Sequence, residues 1–345
     1  MENIQSILPQ TLHDIKQVLA TIIVTHYNYS NFVESALRSL LVQNHTKFEC
    51  VIVDDCSERR HIEKLRSIVD SLGDSRLKVL ALTENLGQTN AVFEGLAQSS
   101  GEFVAILDPD DVYEPNFISK MLQCHLNPCV YAAVAACEMG LFRVGGSVLT
   151  RNYTGFKARA IRNKELGIFE ASQMDFGFST YYPPETPGWL WGTTTSMMFR
   201  RDALNVLRRE TYMQNTKICA DTYCVYGSHL LGGTLFLDEM LCWRGIHSGN
   251  AVESSSVLAI SQKRHQPAFI DTSKAIKFFA AQTILANDGV VNLKDEALIK
   301  TLKVHFTPEE LDALIVDSTH LQKVLFRNFT AFKANTLEPI EATVE

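Results

Sequence analysis

The sequence predicts an α/β fold: a mostly parallel sheet with flanking helices, followed by a C-terminal α-helical appendage. Three observations carry this. Between residues 20 and 107, short β-branched runs alternate with amphipathic stretches, the pattern of βαβ units whose sheet is covered on both faces. From about residue 251 the periodicity becomes helical throughout, with Asp, Asn and Thr-Pro as punctuation. A chain of 345 residues that is 46% hydrophobic and 21% charged can bury a large core and is neither disordered, collagenous nor coiled-coil.

Taken in order, ATIIVT, FECVIV, RLKVLAL and EFVAIL read as four strands, separated by the helices NFVESALRSLLVQ, HIEKLRSIVDSL and TNAVFEGLAQS. Pro115 suits the first position of a helix PNFISKMLQCH. VYAAVAAC and a strand pair near 139 to 150 follow. Residues 151 to 187 contain few apolar runs but several prolines, glycines and aromatics, as expected of a long irregular connection that forms a lid or binding loop. TTTSMMF reads as a strand, DALNVLRRE and DTYCVYGSHLL as helices, and TLFL and EMLCWR as two short strands. SKAIKFFAAQTILA, DEALIKTLKVHF, TPEELDALIV and THLQKVLFRNF make up the appendage.

With 39 acidic and 32 basic side chains, the formal charge is −7, which gives no overall field to attract nucleic acid. The eight cysteines show no C-x-x-C spacing and are expected to be reduced, buried thiols. The opening MENIQSILPQTLHD lacks the basic start and apolar run of a secretory signal, so a cytoplasmic location is expected. Peripheral contact with the inner face of a membrane stays open, as does self-association through the C-terminal helices.

Open parallel sheets bind ligands at the carboxyl ends of their strands, and here those ends are polar. Asp108-Pro109-Asp110-Asp111 directly follows EFVAIL. In extended backbone Asp108 and Asp110 would project to one side, a pair suited to Mg²⁺ or Mn²⁺ completed by phosphate oxygens and water. The plain alternative is a solvated acidic turn. Asp54-Asp55 ends the second strand, and Asp55 could accept hydrogen bonds from a base or ribose. The first strand ends in Thr25, His26, Tyr27 and Asn28, where an aromatic ring could stack on a base.

The string ATIIVTHYNYSNFVESALRSLLVQ, then FECVIVDDCS, then ENLGQTNAVFEGLAQSSGEFVAILDPDDVYEPNFI resembles the nucleotide-sugar-binding half of the inverting glycosyltransferases of family 2, which have a GT-A, Rossmann-like fold. The likeness is continuous from about 20 to 118. It implies a nucleotide-sugar donor, in first place a UDP-sugar, with Thr25 and Tyr27 near the uracil or ribose and Asp55 reading the base. Asp108 and Asp110 match the D-x-D, with Asp110 the most direct ligand of Mn²⁺ or Mg²⁺. Gly87 opens the helix beside the diphosphate; many relatives have a basic residue there, whereas this chain has Gln88, Thr89 and Asn90.

The second half matches less continuously. Relatives carry an E-D pair where this chain has Ala220-Asp221, which makes Asp221 the candidate general base; an Asp there could equally be an N-cap. The R-x-x-H of relatives corresponds to Arg244, a candidate diphosphate contact, and His247, a candidate metal ligand. Trp189 and Trp191 alternate with Leu190 and could form a sugar-stacking platform for the acceptor or pack in the core. The resemblance thus divides the chain into a helical lead-in (1–19), a nucleotide-sugar-binding half (20–115), an acceptor-binding half (116–250) and a helical module (251–345).

The implied activity is inverting transfer of a hexosyl or N-acetylhexosaminyl group to a hydroxyl of a glycan or lipid-linked acceptor, as in bacterial surface polysaccharide synthesis. G-x-G-x-x-G and G-x-x-x-x-G-K-[ST] are both missing after the first strand, against NAD and P-loop enzymes, and THYNYSNF lacks the glycine-rich loop of a sugar-phosphate nucleotidyltransferase. The rival from another class is a noncatalytic scaffold domain of the same fold, motivated by Ala220 and Gln88.

Overall fold

The computed structural model describes residues 15–153, 174–175, 179–188, 191–208, 220–247, 267–286 and 295–316. The first seven elements alternate as expected: β1 (Ala20–His26), α1 (Val33–Leu41), β2 (Phe48–Asp54), α2 (Arg59–Leu72), β3 (Leu77–Ala81), α3 (Gln88–Ala97) and β4 (Phe103–Leu107). Then come β5 (Val112–Tyr113), α4 (Phe117–His125), β6 (Val134–Arg143), β7 (Val148–Thr150), β8 (Met174–Asp175), β9 (Ser179–Tyr182), a 3₁₀ turn (Thr194–Ser196), β10 (Met197–Arg200), α5 (Arg201–Leu207), α6 (Ala220–Gly232) and β11 (Thr234–Ile246). The described C-terminal helices are α7 (Pro267–Leu285), α8 (Asp295–His305) and α9 (Pro308–Val316).

One sheet joins these strands in the order β3-β2-β1-β4-β10-β6-β11-β9-β8, with β7 on β6 and β5 on β11. β3, β2, β1 and β4 are parallel. β10 is antiparallel to both β4 and β6, so β6 again runs with β4, and β11 runs with β6. The carboxyl ends of β1, β2, β4, β6 and β11 therefore share one edge with the amino end of β10, which places that edge as the ligand face.

Because successive strand residues point to opposite faces, the interior divides in two. Ile22, Val24, Ile52, Ala105 and Leu107 pack against Val33, Leu37 and Leu40 of α1, Leu65 of α2 and Phe117 and Met121 of α4. Ile23, Val51, Val53, Val104 and Ile106 face Val92, Phe93 and Leu96 of α3, together with Tyr223 of α6. The spacing of Val33, Leu37 and Leu40 gives α1 its single apolar stripe. α2 stops where Gly73 turns left-handed (φ 62) and returns its N–H to the Val69 carbonyl, 3.2 Å away. Ile276, Ala280 and Ile284 of α7, Leu302 of α8, Phe306 just after it, and Leu311 and Leu314 of α9 continue the second cluster, so the described C-terminal helices share the core of the sheet.

Several expectations change. α4 begins at Phe117 rather than Pro115, because the Pro115 carbonyl accepts the Asn44 N–H at 2.8 Å and the Phe117 N–H turns back to the Glu114 carbonyl at 3.0 Å. TLFL and EMLCWR form the single strand β11: register shifts between Leu237 and Met240 and between Met240 and Cys242 absorb the polar Asp238-Glu239 without ending the ladder. Most of 151–187, the lead-in up to residue 14 and THLQKVLFRNF lie outside the described residues.

Candidate active site

The acidic tetrapeptide after β4 is a closed turn, not extended backbone: the Asp111 N–H donates to the Asp108 carbonyl at 3.1 Å. Its third acid is the anchor. Asp111 is 1% exposed; its Oδ2 accepts the Thr195 hydroxyl at 2.6 Å and its Oδ1 accepts the Gly245 N–H at 2.9 Å. Thr195 Oγ1 in turn accepts the Asp108 N–H at 3.2 Å. One buried carboxylate thus ties the turn to the start of β10 and to the end of β11. A Cβ on Gly245 would run into the Asp110 carbonyl oxygen, so glycine is required for that close approach.

Around this anchor the remaining polar groups converge. Gln88, the first residue of α3, donates Nε2–H to Asp108 Oδ1 at 2.9 Å, and the Thr194 hydroxyl lies 3.4 and 3.3 Å from its two oxygens. His247 Nε2 stands 3.1 Å from Asp110 Oδ2, with both side chains largely buried. Its imidazole stacks on Phe32, centroids 4.0 Å apart at 19°, and meets Tyr29 edge-on at 5.6 Å. Arg244 donates from Nη1 to the Tyr153 hydroxyl at 3.3 Å.

Burial pushes the Asp108 carboxyl up to about 7, aided by the charges of Asp110 and Asp221 and opposed by Arg244 and Thr194. Burial likewise raises Asp110 against the pull of His247 and Arg244, and raises Asp111, with the charges of Asp110 and Asp108 adding to it. Burial and the same two acids push the Tyr29 phenol up to about 12. For Arg244 burial works against the cation, but Tyr153, Asp111, Asp108 and Asp110 outweigh it and hold the guanidinium charged. The site is a crowded set of carboxylates with Arg244 as a charged counterpart.

Asp221 belongs to the same field, since its charge acts on Asp108. α6 already begins at Ala220, so Asp221 lies inside the first helical turn rather than at the N-cap. Its Oδ1 accepts the Thr222 N–H at 2.6 Å and hydroxyl at 3.3 Å, while Oδ2 accepts from none of the described residues. That leaves one oxygen on a rigid helix start able to take a proton.

The ends of β1 and β2 are built differently. Asp55 Oδ1 accepts the Leu86 N–H at 2.7 Å and Oδ2 the Gly87 N–H at 2.9 Å; Gly87, at φ 82, opens α3. Thr25 is buried in β1 opposite Val53, and Tyr27 is 49% exposed just beyond it. Trp191 corrects an expectation: it is 0% exposed, donates Nε1–H to Thr234 Oγ1 at 3.1 Å and meets Tyr226 and His229 edge-on, so the ring packs in the core and has no face for a sugar. Trp189 lies outside the described residues.

The structure also adds residues. Thr194 and Thr195 could have been suspected from four successive hydroxyls, TTTS, preceding an apolar strand. Tyr29, Phe32 and Tyr153 carry no such signal; they join the site through pairings that only the folded sheet creates. Among the described residues no three or more His, Cys, Asp or Glu side chains enclose a cation by themselves.

Comparison with known proteins agrees with this architecture. The model of glycosyl transferase family 2 matches residues 21–207. An uncharacterized glycosyltransferase of Nostoc sp. is 24% identical over 251 residues, 73% of this chain and 72% of that protein. The putative teichuronic acid biosynthesis glycosyltransferase TuaG of Bacillus subtilis is 33% identical over 108 residues, 30% of this chain and 41% of that protein; the chain thus spans less than half of that relative. The crystal structure of S. aureus TarS 1-349 in complex with UDP-GlcNAc superposes with a TM-score of 0.51 at 18% identity, covering 86% of this chain and 79% of that one; the fold is of GT-A type. With the family model spanning more than half of the 345 residues, the chain belongs to glycosyl transferase family 2.

Proposed function

We propose that this glycosyltransferase moves a hexosyl or N-acetylhexosaminyl group from a UDP-sugar to a hydroxyl of a glycan or lipid-linked acceptor, with inversion, in surface polysaccharide synthesis. The observation that carries this is the convergence of Asp108, Asp110, Arg244, His247 and Asp221 on one sheet edge, with Asp221 Oδ2 accepting from none of the described residues. The exposed Tyr27 ring offers a stacking face for the base, and the turn held by Asp55 aims the start of α3 at the diphosphate. Arg244 contacts that diphosphate with a guanidinium.

Asp110 with the neighbouring His247, and Asp108 on the same turn, are donor types that would suit Mn²⁺ or Mg²⁺; among the described residues no three such side chains gather into a cation site, so phosphate oxygens and water would have to supply the rest of the shell. The upward shifts of Asp108 and Asp110 are those of carboxylates short of positive charge. When bound, such an ion neutralises charge building on the departing diphosphate. Asp221 accepts the proton of the acceptor hydroxyl as its oxygen attacks the anomeric carbon from the face opposite the leaving group.

The test is Asp221→Ala. The expected loss in turnover is about 10²- to 10⁴-fold, with UDP binding in calorimetry unchanged. Full transfer activity in that variant removes the base assignment, and a wild-type protein that binds no nucleotide in the presence of Mn²⁺ or Mg²⁺ returns the chain to the scaffold reading.

A further inference from the structure

The hairpin of β6 and β7 leaves the ligand edge of the sheet and shows an unusual surface. Its turn, closed by the Gly146 N–H on the Arg143 carbonyl at 2.8 Å and the Arg143 N–H on the Ser147 carbonyl at 3.0 Å, exposes Val144, Val148 and Leu149 by 36%, 51% and 37%. Arg143 and Arg151 flank these aliphatic side chains, both exposed. Neither guanidinium has a carboxylate partner among the described residues. Arg151 instead lies over the Trp243 ring at 5.2 Å, immediately before Arg244 in β11.

The charge around this hairpin opposes that of the whole protein. In a chain of formal charge −7, no Asp or Glu occurs between Glu138 and Glu165, while six Lys or Arg do. Acids on the same side of the sheet are engaged elsewhere: Asp110 by His247, Asp111 by Thr195 and the Gly245 N–H, and Glu114 by the Trp243 indole N–H at 2.6 Å. The site considered is the hairpin alone, Arg143 to Arg151.

We infer that this hairpin docks the enzyme on an anionic lipid surface, its aliphatic tip entering the headgroup layer and its two arginines meeting lipid phosphates. Isolated basic side chains would serve a soluble polyanion as well; three exposed aliphatics between them favour a partner that is apolar below its charged surface. The strand direction adds a consequence: the hairpin lies on the same edge as Asp108 and Arg244, so docking there sets the catalytic site beside the membrane surface.

The experiment is co-sedimentation of the full chain with vesicles of phosphatidylglycerol and phosphatidylcholine, against phosphatidylcholine alone. Binding is expected only to the anionic vesicles and is expected to fade with added salt. Arg143→Gln with Arg151→Gln should weaken it by roughly tenfold or more, and Val148→Ser with Leu149→Ser by a smaller factor, with unchanged melting temperatures showing that both variants fold. Equal binding of wild type and both variants overturns the inference, as does equal binding to the two vesicle types. Binding to soluble polyphosphate but not to vesicles also overturns it and assigns the arginines to a polyanionic acceptor. No donor or turnover enters the measurement, so its failure is separate from failure of the transferase mechanism.

Discussion

Two strand ends of this sheet carry the same local sequence and do different things. Asp54-Asp55 after β2 and Asp108-Pro109-Asp110-Asp111 after β4 are both acids following an apolar run. In the first pair each carboxylate is occupied by fixed donors: Asp54 by His26 Nδ1 at 2.6 Å and the Ser57 N–H at 3.1 Å, Asp55 by the Leu86 and Gly87 amides. In the second, Asp111 is held by the Thr195 hydroxyl and the Gly245 N–H, whereas Asp108, bonded to Gln88 and Thr194, also lies in the charges of Asp110 and Asp221, and Asp110 is buried beside His247. Satisfied acids build the loops, and frustrated acids are left for a ligand.

The largest effect expected from this contrast is at Asp110. Asp110→Asn keeps the shape but removes charge at the proposed diphosphate site, and transfer should fall by about 10²- to 10³-fold in initial-rate measurements, with the unfolding midpoint unchanged or higher because a crowded charge is gone. A variant that unfolds more readily and still turns over would place Asp110 with the loop-building acids. Asp111→Ala should behave as a hybrid, losing turnover and stability together, because both the turn and the end of β11 hang on its carboxylate.

Next in size is Asp54. Burial alone would raise its carboxyl, but hydrogen bonds from His26 and Ser57 bring it below the usual range. A depressed folded value means that the stabilisation is fully present above the unfolded value of about 4 and is lost as pH falls through the lower folded one. Asp54→Ala should cost about 2 to 3 kcal/mol in denaturant unfolding at neutral pH, and its stability should fall less steeply than wild type below pH ~4. Donor KM should stay within about twofold, since an effect confined to N–H and imidazole partners is structural.

This contrast also marks how far the sequence was readable. Seven alternating elements, the ligand edge and the acids on it follow from local periodicity, because burial of β1, β2 and β4 on both faces leaves apolar runs that end abruptly in polar residues. What escaped depends on pairing across the chain. Thr194 and Thr195 reach Asp108 and Asp111 only because β10 inserts antiparallel between β4 and β6. Phe32 meets His247 because the ends of β1 and β11 share an edge. β11 reads as two strands because its register shift carries Asp238-Glu239, and Trp191 stays open between platform and core because alternation in a short aromatic string does not say which side is covered.

The smallest effect separates two roles for Asp55. As a base reader, Asp55 would lose discrimination among donors when changed to Asn, so the preference for UDP over GDP or CDP in calorimetric competition would collapse. As the holder of the turn before α3, it would instead lose stability: the Asn amide keeps one acceptor oxygen for Leu86 or Gly87 and turns an N–H toward the other amide, costing about 1 to 2 kcal/mol. Burial raises the carboxyl of Asp55 despite these two bonds, and the Asp54 charge adds to that, so part of the loss is returned when the charge is removed. The geometry therefore favours a stability change near the lower bound with base preference intact. A collapse of base preference without a change in unfolding midpoint would move Asp55 out of the loop-building pair and leave Asp54 as its one structural member.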